Sequence, residues 1–556
     1  MRVRSHHVEA WHGVPASTTP TARRVAFLGA LLTVAGLFVV HAEAWRFLCD
    51  DAYIAFRYAH NLAWYGAPTF NPGEGPAVEG YTSPLWITLL AAGARAGVVP
   101  ESFAPLMTRL ASAVGLAASV LLVRTLRLRS ASTWHPSDLL PAVFLVAVPE
   151  YMVWTHGGLE TSCAATLVVC CALAWARGHV VFAAGIAALV ALTRLDGLVP
   201  IAGLGVAWLG LRSVAYRRGT ALGFGPVALS RRKVLAAALV FLAPLAVHFL
   251  WRHAYYGSWW PNTWHIKRHG VALRDTYGAA YVLSWGRHLA LPLFVPLAAC
   301  GRPRHVVLVF PVLLTVAYAW SIGGDFMGYS RLLLPATALS GCALSWLALD
   351  AATWVCTRWS RAAPMVLLST TVAVAGGAWW SASQRQARDR EGGWLERRFE
   401  SVQAMHEFSV IRVEAGRRMK ALLPAETRLI VGAAGALPYA SGLYAIDAYG
   451  LVDPTLAEVA EPDVGQGARP GHQIRATRAH LAQYRPDLLC HIGWHGARRP
   501  SKTSARQRSG SRAYVWACVE HPMLDDTRTG GQIPAGYYCC LRRRGAVVGS
   551  FGAERS

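Results

Sequence analysis

Apolar residues gather in blocks along the first two thirds of the chain, and polar residues dominate the last third. Blocks of this kind are candidates for membrane-spanning helices, which need about 20 residues to cross the hydrocarbon core. The pattern therefore predicts a polytopic α-helical membrane protein with about 11 transmembrane helices, followed by a C-terminal α/β or α+β domain. The predicted spans are 25–41, 105–123, 138–154, 161–176, 179–193, 197–211, 234–251, 288–300, 305–321, 332–350 and 364–380.

The apolar segment 84–99 decides which side of the membrane each loop faces. If it spanned the membrane, the basic cluster from Arg124 to Arg129 would lie outside. If it forms a short helix in the outer interface, that cluster is cytoplasmic, as the positive-inside rule favours. We therefore expect an interfacial helix at 84–99 and an extracytoplasmic C-terminal domain. The later basic loops then also fall inside: Arg177, 212–233, Arg302 with Arg304, and Arg358 with Arg361.

The predicted topology places the protein in the cell (inner or plasma) membrane and divides the chain into three parts. Residues 1–24 form a cytoplasmic tail, 25–380 a transmembrane domain with a first outer loop at 42–104, and 381–556 an extracytoplasmic domain. The first apolar block could instead be a signal peptide, because Ala42-Glu43-Ala44 resembles a cleavage site. In both cases the residues after position 44 emerge outside.

Composition agrees with a membrane protein and argues against a nucleic-acid partner. Of the 556 residues, 54% are hydrophobic and only 15% are charged, against about 25% charged in a soluble domain. The net charge of +23 lies largely in the loops that face the cytoplasm in this topology. The 11 cysteines show no metal-ligand spacing. Four of them fall outside the membrane, where a disulfide can form: Cys490, Cys518, Cys539 and Cys540.

The C-terminal part carries apolar runs that predict strands. LIVGAAG (429–435) and YAIDAYGLVD (444–453) indicate two strands around the short helix ALPYASG (436–442). The GAAGAL stretch lacks the spacing of a dinucleotide loop and is interpreted as a strand-to-helix turn. Further strand-like runs are RPDLLCHIGW (485–494), AYVWACVE (513–520) and GYYCCLRRR (536–544).

An acidic pair opens the first outer loop. Asp50 and Asp51 stand between the first span and a helix over 52–65, which has an apolar face and is expected to lie flat on the membrane. A helix cap and a dipole interaction account for one aspartate better than for two. The pair is therefore a candidate for the chemistry of the protein.

Polar side chains also recur at the outer ends of other predicted spans. Singly, each could be an anchor that reaches the membrane surface. Together, beside glycine and proline, they predict the lining of one cavity. Carboxylates there can deprotonate an acceptor hydroxyl, and cations such as Lys267 and Arg331 can hold a departing phosphate. The set comprises Glu160, Arg194, Asp196, Asn262, Lys267, Asp325 and Arg331.

The motifs that contain these residues resemble a known family. DDAYIAFRYAHNLAWYGAPTFNPGEGPAVEGYTSPLW is followed in order by GLET, RLDG, WWPNTWHIK, GGDFMGYSRLLLP and DAYGLVDPTLA. This series is similar to the GT-C polyprenyl-phosphate-dependent glycosyltransferases, closest to the terminal β-(1→2)-arabinofuranosyltransferase branch. The resemblance runs from about residue 45 to 490.

The resemblance implies a catalytic acid in the first outer loop, at Asp50 or Asp51. It also implies a polyprenyl-phosphate sugar donor, such as decaprenyl-phosphate arabinofuranose, and an extracytoplasmic glycan acceptor, in contact with membrane lipid. Residues carried by the motifs become donor- or acceptor-binding candidates: Arg57, Glu79, Tyr81, Lys267, Asp325 and Arg331. A divalent cation, Mg²⁺ or Mn²⁺, held by Asp50 and Asp51 stays an open alternative.

Two motifs depart from the family pattern. The usual GGDFMP reads GGDFMGYS here, and the usual RPDG or RPEG reads TRLDG, so local turns are expected to differ. Two other functions remain open at this stage. A transporter or lipid flippase would place ionisable groups at mid-span, and a non-catalytic envelope assembly factor would use the outer domain for binding. Donor-dependent turnover separates the enzyme from both.

Overall fold

The computed structural model describes residues 20–73, 77–127, 134–220, 224–226, 229–267, 273–289, 301–358, 377, 380–396, 398–456 and 469–545. The membrane part is helical. Its helices are α1 (Pro20–Glu43), α2 (Asp50–Tyr65), α3 (Pro84–Arg95), α4 (Pro100–Leu126), α5 (Leu140–Ala147), α6 (Pro149–Met152), α7 (Thr161–Ala176), α8 (Val180–Thr193), α9 (Leu198–Arg217), α10 (Arg231–Tyr256), α11 (Asn262–Lys267), α12 (Ala279–His288), α13 (Val306–Ser321) and α14 (Leu334–Arg358).

Six of the described helices are long and apolar enough to cross a membrane, and a bent pair raises that number to seven. The protein is therefore a multi-pass helical membrane protein. The six lie at Thr21–Glu43, Pro100–Leu126, Leu195–Arg217, Arg231–Tyr256, Pro303–Ser321 and Arg331–Trp354, and α7 and α8 are shorter apolar helices. The predicted count of 11 spans is not established, because the blocks 288–300 and 364–380 fall almost entirely outside the described residues.

The block predicted as one span at 138–154 is broken. The helical segments Pro136–Ala147 and Pro149–Thr155 meet at an angle of 76°. Pro149 explains the break, because proline lacks the N–H that a continuous helix needs and disfavours helical geometry at the residue before it. Val148 is accordingly extended, with φ −96° and ψ 115°.

The sequence predicted that helix α2 lies flat on the membrane with one apolar face buried. The structure instead packs α2 on more than one side. Tyr58 packs edge-on against Tyr81 at 4.9 Å between ring centroids. On another side of the helix, Tyr53 and Phe56 contact Tyr439 of the C-terminal domain at 5.5 and 6.0 Å. Ala52, Ala55, Ala59 and Ala63 are buried as well, and their small side chains let neighbouring elements approach. The helix is thus an internal element between the two domains.

The C-terminal part contains a five-stranded mixed sheet. Its strands lie in the order β4 (Tyr444–Asp447), β3 (Arg428–Val431), β5 (Leu488–Gly496), β9 (Gly536–Arg543) and β6 (Tyr514–His521). Strand β3 is parallel to β4 and β5, while β9 is antiparallel to β5 and β6. The strands fall on the apolar runs that predicted them. The elements are α15 (380–390), β1 (Trp394–Leu395), β2 (Phe399–Glu400), α16 (Val402–Leu422), β3 (Arg428–Val431), α17 (Ala436–Ser441), β4 (Tyr444–Asp447), α18 (Arg478–Ala482), β5 (Leu488–Gly496), α19 (Lys502–Ser509), β6 (Tyr514–His521), β7 (Leu524–Asp525), β8 (Gln532–Ile533) and β9 (Gly536–Arg543).

Two disulfides join neighbouring strands of this sheet. Cys490 of β5 is bonded to Cys540 of β9, and Cys518 of β6 is bonded to Cys539 of β9. The sequence predicted one bridge among these four cysteines, and the structure has two. One continuous cluster of buried side chains runs from the membrane helices into this domain, including Trp45, Tyr58, Leu429 and Cys490. The domains therefore share a core at their junction.

Candidate active site

A cavity of about 820 Å³ lies between the membrane helices and the C-terminal domain. We call it the interdomain cavity. The membrane side supplies Asp50 and Asp51, Arg194 to Asp196, residues of the loop 322–332, and Trp260, Pro261, Thr263 and Trp264. The C-terminal side supplies Glu400, Met405, Phe408, Arg412, 431–434, Asp447, Tyr449, 469–473, His491 and Tyr538. Four of the seven residues that the sequence predicted for one cavity therefore line it, together with both members of the acidic pair: Arg194, Asp196, Asp325 and Arg331.

Arg331 connects two carboxylates in this wall. Its Nη1 lies 3.2 Å from Asp51 Oδ2, and its Nε donates to Asp325 Oδ2. The other Asp325 oxygen accepts the Phe326 N–H at 2.8 Å. The side chain of Asp51 is 35% exposed, against 6% for Asp325. Asp51 is therefore the carboxylate of this group that a ligand can reach.

Asp50 has different partners, although it is adjacent in sequence. Its Oδ1 accepts the Ala436 N–H at 2.9 Å, and its Oδ2 accepts the Gly435 N–H at 3.2 Å. Burial raises the pKa of Asp50 to about 6, although both hydrogen bonds and the charge of Arg412 act in the opposite direction. A Cβ at Gly435 would lie 1.9 Å from the Asp50 carbonyl oxygen, so only glycine fits there. Asp50 thus fastens the start of α2 to the turn before α17.

Arg194 is fully engaged with acids. It bonds both oxygens of Asp196, at 3.0 and 2.9 Å, and its Nη1 bonds Glu160 Oε1 at 2.9 Å. Glu160 precedes α7 and Asp196 lies between α8 and α9, so this network ties together the ends of three helices. Glu160 does not line the cavity itself but bonds Arg194, which does.

Two residues predicted to bind substrate stand outside the cavity lining in the first outer loop. Glu79 is buried in a bidentate pair with Arg252, at 2.5 and 3.2 Å. The Tyr81 hydroxyl lies 3.1 Å from the Tyr256 hydroxyl. Both contacts attach the loop to α10. The pair with Arg252 also gives the buried carboxylate of Glu79 the charged partner that it needs. Their geometry is that of structural contacts.

Arg57 and Asn262 also stand outside the lining and bind main-chain carbonyls instead. Arg57 donates to the carbonyls of Phe70, Pro438 and Leu443, the last at 2.8 Å. Asn262 Nδ2 lies 2.8–2.9 Å from the carbonyl oxygens of residues 450, 451 and 453. Lys267 is the last residue of α11, and its side chain lies outside the described part of the structure.

The loop with the altered GGDFM motif pairs with the C-terminal domain. The Gly328 N–H donates to Glu400 O at 3.0 Å, and the Glu400 N–H donates to Phe326 O at 2.9 Å. A Cβ at position 328 would lie 2.6 Å from Glu400 O. The proline of the usual motif has no N–H to donate, which explains the different turn here. The turn continues through positive φ angles at Tyr329 (58°) and Ser330 (47°).

The sequence analysis did not predict the polar residues that the C-terminal domain contributes to the cavity. Arg469 Nη1 bonds Glu400 Oε1 at 3.0 Å, while burial raises the pKa of Glu400. Burial likewise raises the pKa of Asp447 to about 6, against hydrogen bonds from Tyr449 and Leu451. Local sequence patterns could not assign these residues to the cavity, because their position depends on how the sheet docks against the membrane domain.

Arg412 differs from the other arginines of the cavity. Arg194, Arg331 and Arg469 each bond a carboxylate, whereas Arg412 has none within 4.0 Å among the described residues. Its guanidinium stacks on Phe408, with Cζ 3.2 Å from the ring centroid. Residues Met405, Phe408 and Arg412 follow a helical spacing on one face of α16, and that spacing was the available signal.

The acidic pair does not fit a metal site in this arrangement. Both Asp50 oxygens accept backbone N–H groups, and one Asp51 oxygen pairs with Arg331. Among the described residues, no group of three or more His, Cys, Asp or Glu side chains is arranged to hold a metal ion. We therefore derive no step through Mg²⁺ or Mn²⁺.

Comparisons with known proteins leave the activity open. A family model described as "Domain of unknown function (DUF8728)" matches residues 400–529. No curated protein sequence matches the chain. The structure is similar to that of ArnT from Cupriavidus metallidurans bound to undecaprenyl phosphate, with 15% identity, a TM-score of 0.48, and coverage of 92% of this chain and 97% of that chain. For ArnT in the apo state the values are 14%, 0.47, 94% and 98%. These values assign no activity to this chain.

Proposed function

We propose that this chain is a membrane glycosyltransferase that moves a sugar from a polyprenyl-phosphate donor to a cell-envelope glycan acceptor on the extracytoplasmic side. One arrangement carries the proposal: the interdomain cavity holds an accessible carboxylate, Asp51, together with a cation, Arg412, that forms no ion pair with a described carboxylate. The motif resemblance favours a lipid-phosphate donor and makes arabinofuranose the first sugar to test.

Asp51 is the group best suited to activate the acceptor. Its Oδ2 is held by Arg331 at 3.2 Å, and its Oδ1 accepts no hydrogen bond within the described part of the chain. An acceptor hydroxyl bound to Oδ1 would attack the anomeric carbon of the donor sugar. The new C–O bond forms as the bond between that carbon and the phosphate oxygen breaks, and Asp51 takes the hydroxyl proton.

The departing polyprenyl phosphate gains negative charge in this step. Arg412 can bind it through charge-assisted hydrogen bonds, because its guanidinium makes no ion pair in the described structure. Arg331 already serves two carboxylates, so its attraction for an added anion is reduced. Arg412 is therefore our choice for the phosphate, with Lys267 retained as a sequence-based candidate.

The position of the cavity suits a lipid-linked donor. Trp260 and Trp264 line the cavity, and they are 45% and 47% exposed. Tryptophan is enriched where membrane meets water, which is where the phosphate of a polyprenyl lipid lies. The basic loops that the sequence assigns to the cytoplasm favour an outward-facing cavity.

Turnover by the purified full-length chain tests the proposal. We expect one member of a panel of polyprenyl-phosphate sugars to release polyprenyl phosphate when a glycan acceptor is present. Asp51→Asn keeps the shape of the side chain and removes its basicity, so we expect kcat to fall about 10²–10⁴-fold. Asp275→Asn is the matched control, because that side chain is 73% exposed and outside the cavity.

Two results would overturn the proposal. One is a folded wild-type chain that consumes no donor in the panel. The other is an Asp51→Asn chain that turns over at the wild-type rate. The first result would return the transporter and the assembly factor to consideration.

A further inference from the structure

Three side chains of the interdomain cavity carry buried polar atoms that have no hydrogen-bond partner among the described residues. They are Thr263 Oγ1, both amide atoms of Gln473, and His491 Nδ1. The other polar groups of the wall, such as Asp50, Asp325 and Arg194, have partners in the protein. Buried polar groups are nearly always paired in folded proteins, so three unpaired ones in one cavity need an explanation.

The residues on both sides of Gln473 are held by packing. Its side chain has no exposed surface, and its neighbour Ile474 is 1% exposed in a hydrophobic cluster. On the other side, the His472 ring is held edge-on by Phe326 at 5.0 Å and Tyr449 at 4.8 Å. The amide thus lies in the cavity wall, and neither its donor nor its acceptor is used by a described residue.

Thr263 and His491 are held in place as firmly. Thr263 follows Asn262, which is fixed to the turn at 450–453. His491 follows Cys490, whose disulfide joins β5 to β9. Burial, with the charges of Arg475 and Arg478, lowers the pKa of His491 to about 4, so its ring is neutral at neutral pH. A neutral imidazole offers one donor and one acceptor.

We propose that Thr263, Gln473 and His491 form a subsite that binds the hydroxyl groups of a sugar residue, which belongs either to the donor or to the acceptor glycan. A hydroxyl, an amide and a neutral imidazole each offer hydrogen-bond donors and acceptors without charge, and sugar hydroxyls need that combination. A phosphate would instead require cations. This inference rests on the proposed function for its catalytic readout, but its binding readout is independent of turnover.

Replacing Gln473 with leucine tests the subsite. If the amide binds a sugar hydroxyl, KM should rise about 10–100-fold for the donor or for the acceptor, and the substrate affected identifies the source of the sugar. The melting temperature should stay the same or rise, because the variant removes an unpaired polar group. Thr263→Val should raise KM for the same substrate, by a smaller factor. Gln483→Leu, at an exposed glutamine outside the cavity, is the matched control.

Direct binding separates this proposal from the proposed function. Methyl arabinofuranoside, followed by the fluorescence of the cavity tryptophans in the full chain, should bind the wild type and bind Gln473→Leu at least 10-fold more weakly. If that holds while no donor is consumed, the subsite stands and the transferase assignment fails. Unchanged KM values with equal methyl arabinofuranoside binding in both chains would overturn the subsite. A lower melting temperature with unchanged binding would overturn it too and assign Gln473 a structural role.

Discussion

Replacing Asp50 with asparagine should lower the stability of the chain while leaving its chemistry largely intact. Asp50 accepts the N–H groups of Gly435 and Ala436 at 3.2 and 2.9 Å, across the junction between the domains. Asparagine keeps one acceptor oxygen and turns its NH₂ group against the second N–H. The variant therefore loses one hydrogen bond to a charged acceptor and gains a donor–donor contact.

The size of the effect follows from these two bonds. A hydrogen bond to a charged group contributes about 1.5–3 kcal/mol, so Asp50→Asn should reduce the free energy of unfolding by about that amount. Asp50→Ala loses both bonds and should reduce it by about 3–6 kcal/mol if the two contributions add. Turnover should fall less than 10-fold in Asp50→Asn at a temperature where the variant is folded, far less than in Asp51→Asn.

Thermal unfolding and donor consumption at pH 7 measure both effects on the same preparation. Asp275→Asn serves as the control, because its side chain is 73% exposed and its loss should change neither quantity. Asp50→Asn with wild-type stability and no turnover would refute the reasoning. In that case Asp50 takes part in the chemistry and its contacts to α17 are incidental.

Three further predictions concern the other walls of the cavity. Arg412→Gln should lower kcat/KM for the donor about 10–100-fold without changing the melting temperature, and equal donor kinetics would contradict a phosphate role. Gly328→Pro removes the N–H that donates to Glu400 O at 3.0 Å and should lower the melting temperature, whereas an unchanged melting curve would contradict the pairing. Replacing both Cys490 and Cys540 with serine removes a link that closes 50 residues and should cost about 2–5 kcal/mol in thermal unfolding, with a loss below 1 kcal/mol counting against the bridge.

Local patterns were sufficient where one segment determines its own structure. The runs at 429–435 and 444–453 alternate between apolar strand residues and glycine-rich turns, and the structure has β3, α17 and β4 there. The spans of the membrane domain follow equally from continuous apolar composition. Pro149 interrupts one of them, and a chain with proline inside an apolar block does not reveal whether the helix kinks or breaks.

The cavity depends on contacts that no local pattern contains. Asp50 meets Ala436 at a separation of 386 positions, so the sequence shows the acidic pair but not which member serves docking. The C-terminal wall was missed for the same reason: Arg412, Gln473 and His491 reach the cavity only because the sheet docks against α2 and the 322–332 loop. Arg57, Glu79 and Asn262 share motifs with the cavity residues but support them from outside.

Four hydrogen-bonding side chains at the domain junction all belong to the membrane domain, and this affects how the sequence of the outer domain can diverge. They are Asp50, Arg57, Asn71 and Asn262. Each of these side chains meets main-chain N–H or C=O groups of the segment 435–453, as when Asn71 exchanges two hydrogen bonds with the backbone of Ala445. Through these hydrogen bonds the membrane domain recognises the backbone path of that segment, and its side-chain requirements there include Gly435 and Tyr439. Outer domains that keep these two residues and the same backbone course should therefore be interchangeable on this scaffold, which leaves the facing wall free to acquire new sugar specificities.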